Sequence, residues 1–441
     1  MEFLPREAQI QLSNISAIEL IENGDRGARE TWQRAQLGNL LSHAARTSGW
    51  WRARIEAAQD GYKSLPAQSR SDVARQTALD GPLGVAGGAA KASYATTGST
   101  GTPVRVYTTE ANGAYNVRRS LAQYFIYGLP LSENRVQINP ALNLKAMVEP
   151  ISVRSTDHWA GSLAKLFVNG CNREIIHSYA DGATDSLVAA LLERPVGYLV
   201  CSSRFAEMIY DFGGADLLGR LGLRAWVHTS DLQSPDIVQY LASQGIPSHS
   251  VYSSGEVGPI AFECDKHPGH FHVAHSNVIV EADPTLTAQF QGQTVSRLLI
   301  TGLHSYATPI IRYDVGDFSC VHPACPCGHD GTTLSSIYGR GKSFVRRPDG
   351  QFIPFYLSTR ALLRAADFTE CRVRQHSIDT LTVEIGGRQA LDPVEVDNLT
   401  RLVVAATDPA FRVEVVAQER LDWANDAKRL FFACKLPDPP T

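Results

Sequence analysis

The sequence predicts an α/β protein with a large N-terminal domain, built of βα units around mainly parallel sheets with an additional small β region, and a small α+β C-terminal domain. Three observations lead to this prediction. The 441 residues are too many for one ordinary core and indicate two or three structural units. Strand-like apolar runs alternate with helical patterns from about residue 106 to residue 300. Beyond residue 342, short alternating stretches surround one helix-like segment.

The composition is that of a globular protein with small-molecule ligands. Hydrophobic residues make up 44% of the chain and charged residues 20%, which excludes the disordered and fibrous classes. A formal net charge of −4 gives no basic footprint for nucleic acid or for an anionic membrane. The N-terminus lacks a signal-peptide pattern, and no window reaches 18 uninterrupted apolar residues. We therefore expect a cytoplasmic protein without a nucleic-acid or membrane partner.

Local patterns assign the elements of the large domain. Apolar residues at helical spacing predict an amphipathic helical region over residues 28–58. Strands and helices then alternate, with strands predicted at 197–203 and 223–230 and helices at 185–194 and 234–245. Two shorter strand-like segments, at 277–283 and 296–303, could form a separate sheet.

The chain changes character after the stretch IYGRGK at 337–342. A helix is predicted at 358–366, and alternating stretches at 372–378, 381–387 and 411–418 read as strands. The predicted boundaries are an N-terminal domain over 1–339, a hinge at 340–342 and a small C-terminal α+β domain over 343–441.

The stretch ATTGSTGTPV at residues 95–104 is rich in hydroxyl side chains and glycine. It follows a candidate strand and precedes a helix predicted to begin near Thr109. Its backbone N–H groups and hydroxyls could bind phosphate oxygens, although loops of this composition are also common linkers. The Gly-Lys pair of a Walker loop is missing. The candidate phosphate-binding residues are Thr96, Thr97, Gly98, Ser99, Thr100, Gly101 and Thr102.

Three further stretches favour the phosphate-binding interpretation: VYSSGEVGPIAFEC at 251–264, TPIIRYDVGD at 308–317 and IYGRGK at 337–342. Together with TTGSTGTP at 96–103, their order and separation resemble the adenylate-forming enzymes, most closely the phenylacetate–CoA ligase-like branch. The resemblance covers nearly the whole chain and is weakest toward the C-terminus. It implies a mobile C-terminal domain that rotates between two half-reactions. In the first, a carboxylate attacks the α-phosphate of ATP and pyrophosphate leaves; in the second, the acyl-AMP passes to an acceptor, commonly a thiol.

The resemblance also assigns the nucleotide contacts. Tyr252 is expected to stack on adenine, because aromatic faces stack well on bases. Asp317 is expected to accept hydrogen bonds from the ribose hydroxyls. The other side of the adenine would be lined by His228, Thr229, Ser230 and Asp231.

Glu256 matches the acidic residue that holds Mg²⁺ between the phosphates, a task suited to hard carboxylate oxygen. Ser253 and Ser254 lie just upstream and are further candidates for the phosphate contacts. Gly255 replaces the small hydroxyl residue that is usual in the family. This departure affects one phosphate contact and leaves the acidic residue in place.

Positive side chains complete the expected site. Arg312 and Arg340 could neutralise phosphate or pair structurally with carboxylates, and a functional role is favoured for Arg340. Lys342 falls at the hinge, where one residue absorbs the rotation. The catalytic lysine of the family aligns with Asp426, and Lys428 lies two positions later. Lys428 is therefore either the catalytic residue or a solvated surface lysine.

Cysteine usage indicates a metal site. Eight cysteines are too few for a disulfide scaffold in this chain, and three of them crowd together between residues 320 and 327. Cys264, Cys325 and Cys327 flank the nucleotide stretches, and three thiolates with one imidazole make a closed structural zinc site. The Gly-x-His pattern of the branch implies His272 as the fourth ligand. The alternatives are reduced, unligated thiols, or a fourth ligand among His267, His270, Cys320 and His322.

The acid and its acceptor are defined only by class. The branch implies an aryl or other modest-sized carboxylic acid in secondary metabolism or catabolism, but the segment 136–150 departs from the branch pattern and argues against phenylacetate. The expected cofactors are ATP, which yields AMP, together with Mg²⁺, Zn²⁺ and CoA. A carrier-protein thiol or an amine is the alternative acceptor. A nucleotide-binding protein without catalysis is a third hypothesis, raised by Asp426, and a homodimer is left open.

Overall fold

A computed structural model gives the fold. The structure describes residues 4–58, 60–84, 90–96, 104–141, 149–167, 170–180, 182–213, 215–290, 293–339, 344–349, 352–355, 357, 359–423 and 431–436. Within these ranges, every helix is too short or too polar to span a bilayer.

Helices are most frequent in the first half of the chain. They are α1 (Arg6–Glu22), α2 (Arg26–Thr47), α3 (Gly49–Ala57), α4 (Arg70–Asp80), α5 (Glu110–Ile126), α6 (Ala183–Leu192), α7 (Ser203–Gly213), α8 (Ala215–Arg220), α9 (Pro235–Ser243), α10 (Thr359–Ala365) and α11 (Pro393–Ala406), with 3₁₀ turns at Tyr62–Ser64 and Gly161–Leu166. Four predicted helical regions are confirmed. Helices α2 and α3 lie in the region 28–58, α6 corresponds to 185–194, α9 to 234–245 and α10 to 358–366.

Strands begin after α4. They are β1 (Ala90–Thr96), β2 (Val104–Thr109), β3 (Arg135–Pro140), β4 (Ile151–Thr156), β5 (Asn172–His177), β6 (Gly197–Cys201), β7 (Leu223–Thr229), β8 (Ser248–Ser254), β9 (Gly258–Glu263), β10 (His270–Val273), β11 (Val278–Phe290), β12 (Gln293–Gly302), β13 (Tyr313–His322), β14 (Thr333–Tyr338), β15 (Phe344–Arg346), β16 (Phe352–Pro354), β17 (Glu370–Ser377), β18 (Thr380–Gly386), β19 (Arg412–Gln418) and β20 (Phe432–Cys434).

Twelve of the described strands form one sheet, in the order β11-β12-β13-β14-β10-β9-β8-β7-β6-β3-β5-β4. The block from β8 to β5 is parallel, as the alternating pattern predicted. The block from β9 to β11 is antiparallel. The segments at 277–283 and 296–303 therefore do not form a separate sheet, because β11 and β12 extend the same hydrogen-bonded ladder.

Helices cover both faces of the parallel block. Successive residues of β6 point to opposite sides: Leu199 packs with α6, α7 and α9, whereas Tyr198 and Val200 pack with α1 and α5. The strands of the block are thus apolar on both faces, as expected for a buried parallel sheet. Loops that carry ligand-binding groups are expected where the carboxyl ends of such strands meet.

The predicted helix near Thr109 and the predicted strand before residues 97–103 are both confirmed, and a further strand lies between them. Thr109 caps α5 by accepting a hydrogen bond from the Asn112 N–H. Between the loop and α5 lies β2, which pairs antiparallel with β1, so that Thr96 is opposite Val104. The described strands β1 and β2 thus lie on either side of residues 97–103, and β2 leads into α5.

Residues from 344 onward build a hydrophobic cluster of their own. Val373, Leu381 and Val383 of the sheet β19-β18-β17-β20 pack against Leu399 and Val403 of α11. The small α+β unit predicted from the sequence is therefore present, while its boundary at 340–342 stays a prediction.

Candidate functional site

Tyr252 and Asp317 meet although their strands are far apart in the sheet. The Tyr252 hydroxyl donates a hydrogen bond to Asp317 Oδ2 at 2.7 Å. Their strands, β8 and β13, are four places apart in the sheet order, which in a flat sheet would correspond to about 19 Å. The antiparallel half of the sheet must therefore curl until β13 faces the carboxyl end of β8. An aromatic ring and a carboxylate thus lie side by side near the carboxyl end of β8.

Glu256 lies in the turn between β8 and β9 and is 3% exposed. Its Oε1 accepts a hydrogen bond from the Tyr313 hydroxyl at 3.1 Å and lies 3.6 Å from the Arg70 guanidinium. Its Oε2 and the Ser254 hydroxyl are buried without a hydrogen-bond partner among the described residues. Buried polar atoms in this condition are uncommon, so both oxygens fit a site that a ligand or a cation completes. A carboxylate oxygen is a ligand that Mg²⁺ prefers.

The side chains of the stretch at 228–231 are used largely within the protein. The ring of His228 is 1% exposed and bonds to Ser250 through Nδ1 at 2.8 Å and to Asp231 through Nε2 at 2.7 Å. Asp231 also accepts a hydrogen bond from the Ser203 N–H at the start of α7. Ser230 is exposed and has a φ of +83°. This stretch therefore ties β7 to β8 and α7, and its adenine contacts stay a prediction.

Arg312 makes the structural contacts that the sequence left as an alternative. Its guanidinium lies 3.2 Å from Glu281 Oε2 and donates to the carbonyl groups of Lys63 and Leu65. Glu281 also accepts a hydrogen bond from the Tyr62 hydroxyl at 2.8 Å. These contacts join the N-terminal helical region to the start of β13, and a phosphate contact of Arg312 stays a prediction.

Four candidate metal ligands come together on the antiparallel side of the sheet. The ligand atoms of Cys264, His272, Cys325 and Cys327 all lie within 4.8 Å of one another. Ligands of a tetrahedral zinc ion are about 3.8 Å apart, so the cluster has nearly the required size. Cys327 Sγ is 3.4 Å from His272 Nε2. This is the set that the resemblance implied.

The chemistry of these groups also suits a cation. Burial raises the pKa of Cys325 to about 12, and burial lowers the pKa of His272 to about 4. The imidazole is therefore neutral at pH 7 and can offer a lone pair, while the Cys325 thiol would lose its proton readily only to a metal ion. Of the alternative ligands, Cys320 instead donates toward Gln293 Oε1 and the Thr294 carbonyl, and His322 bonds to Ser335.

Comparison with known proteins gives a match at the level of structure. No protein-family profile and no curated protein match the sequence. The structure of 2-hydroxyisobutyryl-CoA ligase in the postadenylation state with 2-HIB-AMP gives a TM-score of 0.63 at 15% identity, over 91% of this chain and 89% of that chain. The chain has the acyl-CoA ligase fold. The fold that the resemblance implied is confirmed, while membership of the adenylate-forming enzymes and of their phenylacetate–CoA ligase-like branch stays a prediction.

Two further structures share the acyl-CoA ligase fold. The 2-hydroxyisobutyryl-CoA ligase with 2-HIB-AMP and CoA in the thioesterification state gives a TM-score of 0.55 at 16% identity, over 94% of this chain and 92% of that chain. Acetoacetyl-CoA synthetase from Streptomyces lividans gives 0.51 at 15% identity, over 74% of this chain and 52% of that chain.

Several predicted residues lie outside the described part of this ligase fold. Thr96 ends β1, and of its side chain nothing is described. Gly339 is the last described residue before the predicted hinge, and a Cβ added to it would lie 3.9 Å from Asp317 Oδ1. The predicted residues outside the described ranges are Thr97, Gly98, Ser99, Thr100, Gly101, Thr102, Arg340, Lys342, Asp426 and Lys428.

Two residues of the site were not predicted from the sequence. Tyr313 and Arg70 both contact Glu256. Tyr313 lies inside the stretch TPIIRYDVGD, close to Asp317 in sequence. This closeness is the signal that could have identified Tyr313 as a residue of the site. Arg70 carries no such signal, because 186 positions separate it from Glu256.

Proposed function

We propose that the protein is an ATP-dependent acid ligase. It activates a carboxylic acid as an acyl-adenylate, releases pyrophosphate and passes the acyl group to CoA. The most direct support is that two hydrogen bonds, from Tyr252 to Asp317 and from Tyr313 to Glu256, join the end of β8 and the turn after it to β13. The structures that share the fold are of acyl-CoA ligases, and two of them hold 2-HIB-AMP, one together with CoA.

The proposed roles follow from the chemistry of each side chain. The ring of Tyr252 stacks on adenine, while its hydroxyl, bonded to Asp317, fixes the carboxylate that accepts the ribose hydroxyls. Glu256 Oε2 holds Mg²⁺, which when bound supplies positive charge to the phosphates. An oxygen of the acid then attacks the α-phosphorus, and the bond to the pyrophosphate oxygen breaks. Lys428 is the proposed residue that stabilises the negative charge developing on the α-phosphate.

The second half-reaction needs a thiol. The sulfur of CoA attacks the acyl carbonyl carbon, its proton is lost, and AMP leaves with the electrons of the broken C–O bond. Lys342 is the proposed pivot for the rotation that exchanges the two half-reactions, and Arg340 is the proposed phosphate partner beside it. The acid is proposed to be an aryl or other modest-sized carboxylic acid.

A structural zinc ion is proposed at Cys264, His272, Cys325 and Cys327. The four side chains fill a tetrahedral set and leave no open position, so the ion would stabilise the fold without reacting. Elemental analysis of protein purified without added metal should give about one zinc per chain. A zinc content below about a tenth of an ion per chain would rule out the proposed zinc site.

The function is tested by ATP–pyrophosphate exchange, with Mg²⁺ and without CoA. The acid panel contains aryl, arylacetic, short aliphatic and amino acids. Exchange with one acid establishes adenylation and names the acid class. Subsequent thioester formation with CoA supports CoA as the acceptor. Transfer only to a carrier protein or to an amine would mean that this other group is the acceptor. ATP binding without exchange for every acid would contradict the ligase proposal and favour a nucleotide-binding protein without catalysis.

A further inference from the structure

The two oxygens of the Glu256 carboxylate lie in different environments. Oε1 has a hydroxyl donor at 3.1 Å, from Tyr313, and a guanidinium nitrogen at 3.6 Å, from Arg70. Oε2 is buried and has no hydrogen-bond partner among the described residues. The side chains of Glu256 and Arg70 are 1% and 18% exposed, so little water competes for these contacts. The carboxylate is thus held by one oxygen, and the other is left for a further partner.

Arg70 is placed by the segment before α4. The backbone N–H of Gln68 donates to the Arg312 carbonyl at 2.9 Å, and the Asp314 N–H donates to the Gln68 carbonyl at 3.0 Å. Gln68 thereby forms a parallel bridge with Tyr313. The same short segment consequently fixes Arg70 and Tyr313 relative to each other.

Local helix energetics also point to a function for Arg70. Ser69 caps α4 in a capping box with Asp72, so Arg70 is the first residue of the helix. The partial positive charge at a helix N-terminus disfavours a cation there. The ion pair with the carboxylate of Glu256 offsets this cost and orients the Arg70 guanidinium toward that carboxylate.

We propose that Arg70 and Tyr313 are positioning residues that hold Glu256 by Oε1 and thereby present Oε2 to the divalent cation that accompanies ATP. This inference rests on the proposed function. Contacts at one oxygen restrict the rotation of the carboxylate, so the cation meets a ligand that is already oriented. Neither side chain needs to touch the nucleotide for this role. Both should therefore act on cation-dependent binding of ATP and leave cation-free binding nearly unchanged.

The test compares the affinity for ATP with excess Mg²⁺ and with EDTA, by titration calorimetry of the full chain. The variants are Tyr313→Phe, which removes the hydroxyl, and Arg70→Gln, which removes the charge from a partly exposed site. We expect each variant to reduce the Mg²⁺-dependent gain in affinity by about tenfold, and Arg70→Lys to recover part of it. Arg75→Gln, on the exposed side of the same helix, is the matched control.

The outcomes separate this inference from the proposed function. If the wild-type protein binds no ATP, the proposed function fails and the inference fails with it. If the wild-type protein gains affinity from Mg²⁺ and both variants gain as much, the inference alone is overturned. Equal losses in Mg²⁺ and in EDTA would also overturn it, because they would place the effect on the nucleotide or on the fold. If Tyr313→Phe does not fold, Arg70→Gln alone decides.

Discussion

At the scale of single residues, the contact between Tyr252 and Asp317 combines two expected roles. Tyr252 was expected at adenine and Asp317 at ribose, and the structure joins the two side chains by a hydrogen bond of 2.7 Å. The hydroxyl of Tyr252 fixes one carboxylate oxygen. The proposed adenine and ribose contacts would therefore belong to one rigid pair of side chains.

Asp317→Asn should weaken ATP binding by about 10- to 100-fold, because hydrogen bonds to a charged acceptor contribute about 1.5–3 kcal/mol. Tyr252→Phe keeps the aromatic face and removes only the hydroxyl, so its loss should be smaller, roughly tenfold or less. Both dissociation constants can be measured by calorimetry with Mg²⁺ present. Equal affinity of Asp317→Asn and the wild-type protein would exclude the ribose role.

The sequence predicted these residues because each lies in a motif with a fixed local order. Tyr252, Glu256 and Asp317 could be recognised in this way, and so could the four candidate metal ligands. Residues whose partner lies far away in sequence could not. Arg70 and Glu22, for instance, each depend on a contact that only the folded chain creates, and no local pattern carries that information.

At the scale of elements, the four candidate metal ligands come from the end of β9, from strand β10 and from the loop at 325–327. His272→Ala should lower the zinc content and reduce the free energy of unfolding, on the order of 3 kcal/mol, because loss of a metal is among the largest single-residue effects. Metal analysis and denaturant unfolding measure the two quantities. Cys320→Ser is the matched control, since Cys320 contacts Gln293 and Thr294 instead. An unchanged zinc content in His272→Ala would remove that ligand.

A second tie between elements is the buried carboxylate of Glu22 at the end of α1. It accepts hydrogen bonds from the Ser276 hydroxyl at 2.6 Å and from the His275 N–H at 3.1 Å, and it lies 3.3 Å from Arg119 of α5. Burial alone would raise the pKa of Glu22, but Arg119, His275 and Ser276 outweigh burial and lower the pKa to about 2.

A lowered pKa stabilises the folded chain above the ordinary pKa of about 4.5, and this stabilisation is lost as the pH falls toward 2. At pH 7 this contribution to the free energy of unfolding is about 3 kcal/mol. Glu22→Gln should therefore reduce the free energy of unfolding by about this amount at pH 7, and the difference from the wild-type protein should narrow below about pH 4.5. Urea unfolding at several pH values measures this difference in the free energy of unfolding, and Glu7→Gln, on the exposed side of α1, is the control. A difference that does not change with pH would refute the assignment.

Most elements could be predicted from the sequence because their patterns are local. Strands β6 and β7 and helices α5, α6 and α9 were placed within a few residues. Sheet membership could not, because β11 and β12 join the large sheet through β13 and β14, and β14 pairs with β10, whose residues lie more than 60 positions earlier in the sequence. Nor was β2 predicted, although its pairing with β1 places a strand between the Gly/Ser/Thr stretch and α5.

At the scale of the whole molecule, an ion-pair cluster joins the C-terminal part of the chain to the parallel block. The Arg360 guanidinium of α10 lies 2.8 Å from Asp211 of α7 and 3.5 Å from Asp236 of α9. It also lies 4.2 Å from the centroid of the Tyr210 ring. The Arg360 side chain is only 16% exposed, so these contacts are partly shielded from solvent. They hold one arrangement of α10 against the rest of the molecule.

If the C-terminal domain rotates between the half-reactions, this cluster must break and re-form in each cycle. Arg360→Ala removes contacts of one arrangement only, so it should shift the ratio of the two half-reactions, by about 5- to 10-fold, without abolishing either. Pyrophosphate exchange measures the first step, and single-turnover transfer from preformed acyl-AMP measures the second. Arg364→Ala, on the same helix but 67% exposed and 3.6 Å from Asp236, is the control. Equal changes in both steps would mean that the cluster stabilises the fold and does not select an arrangement of the domains.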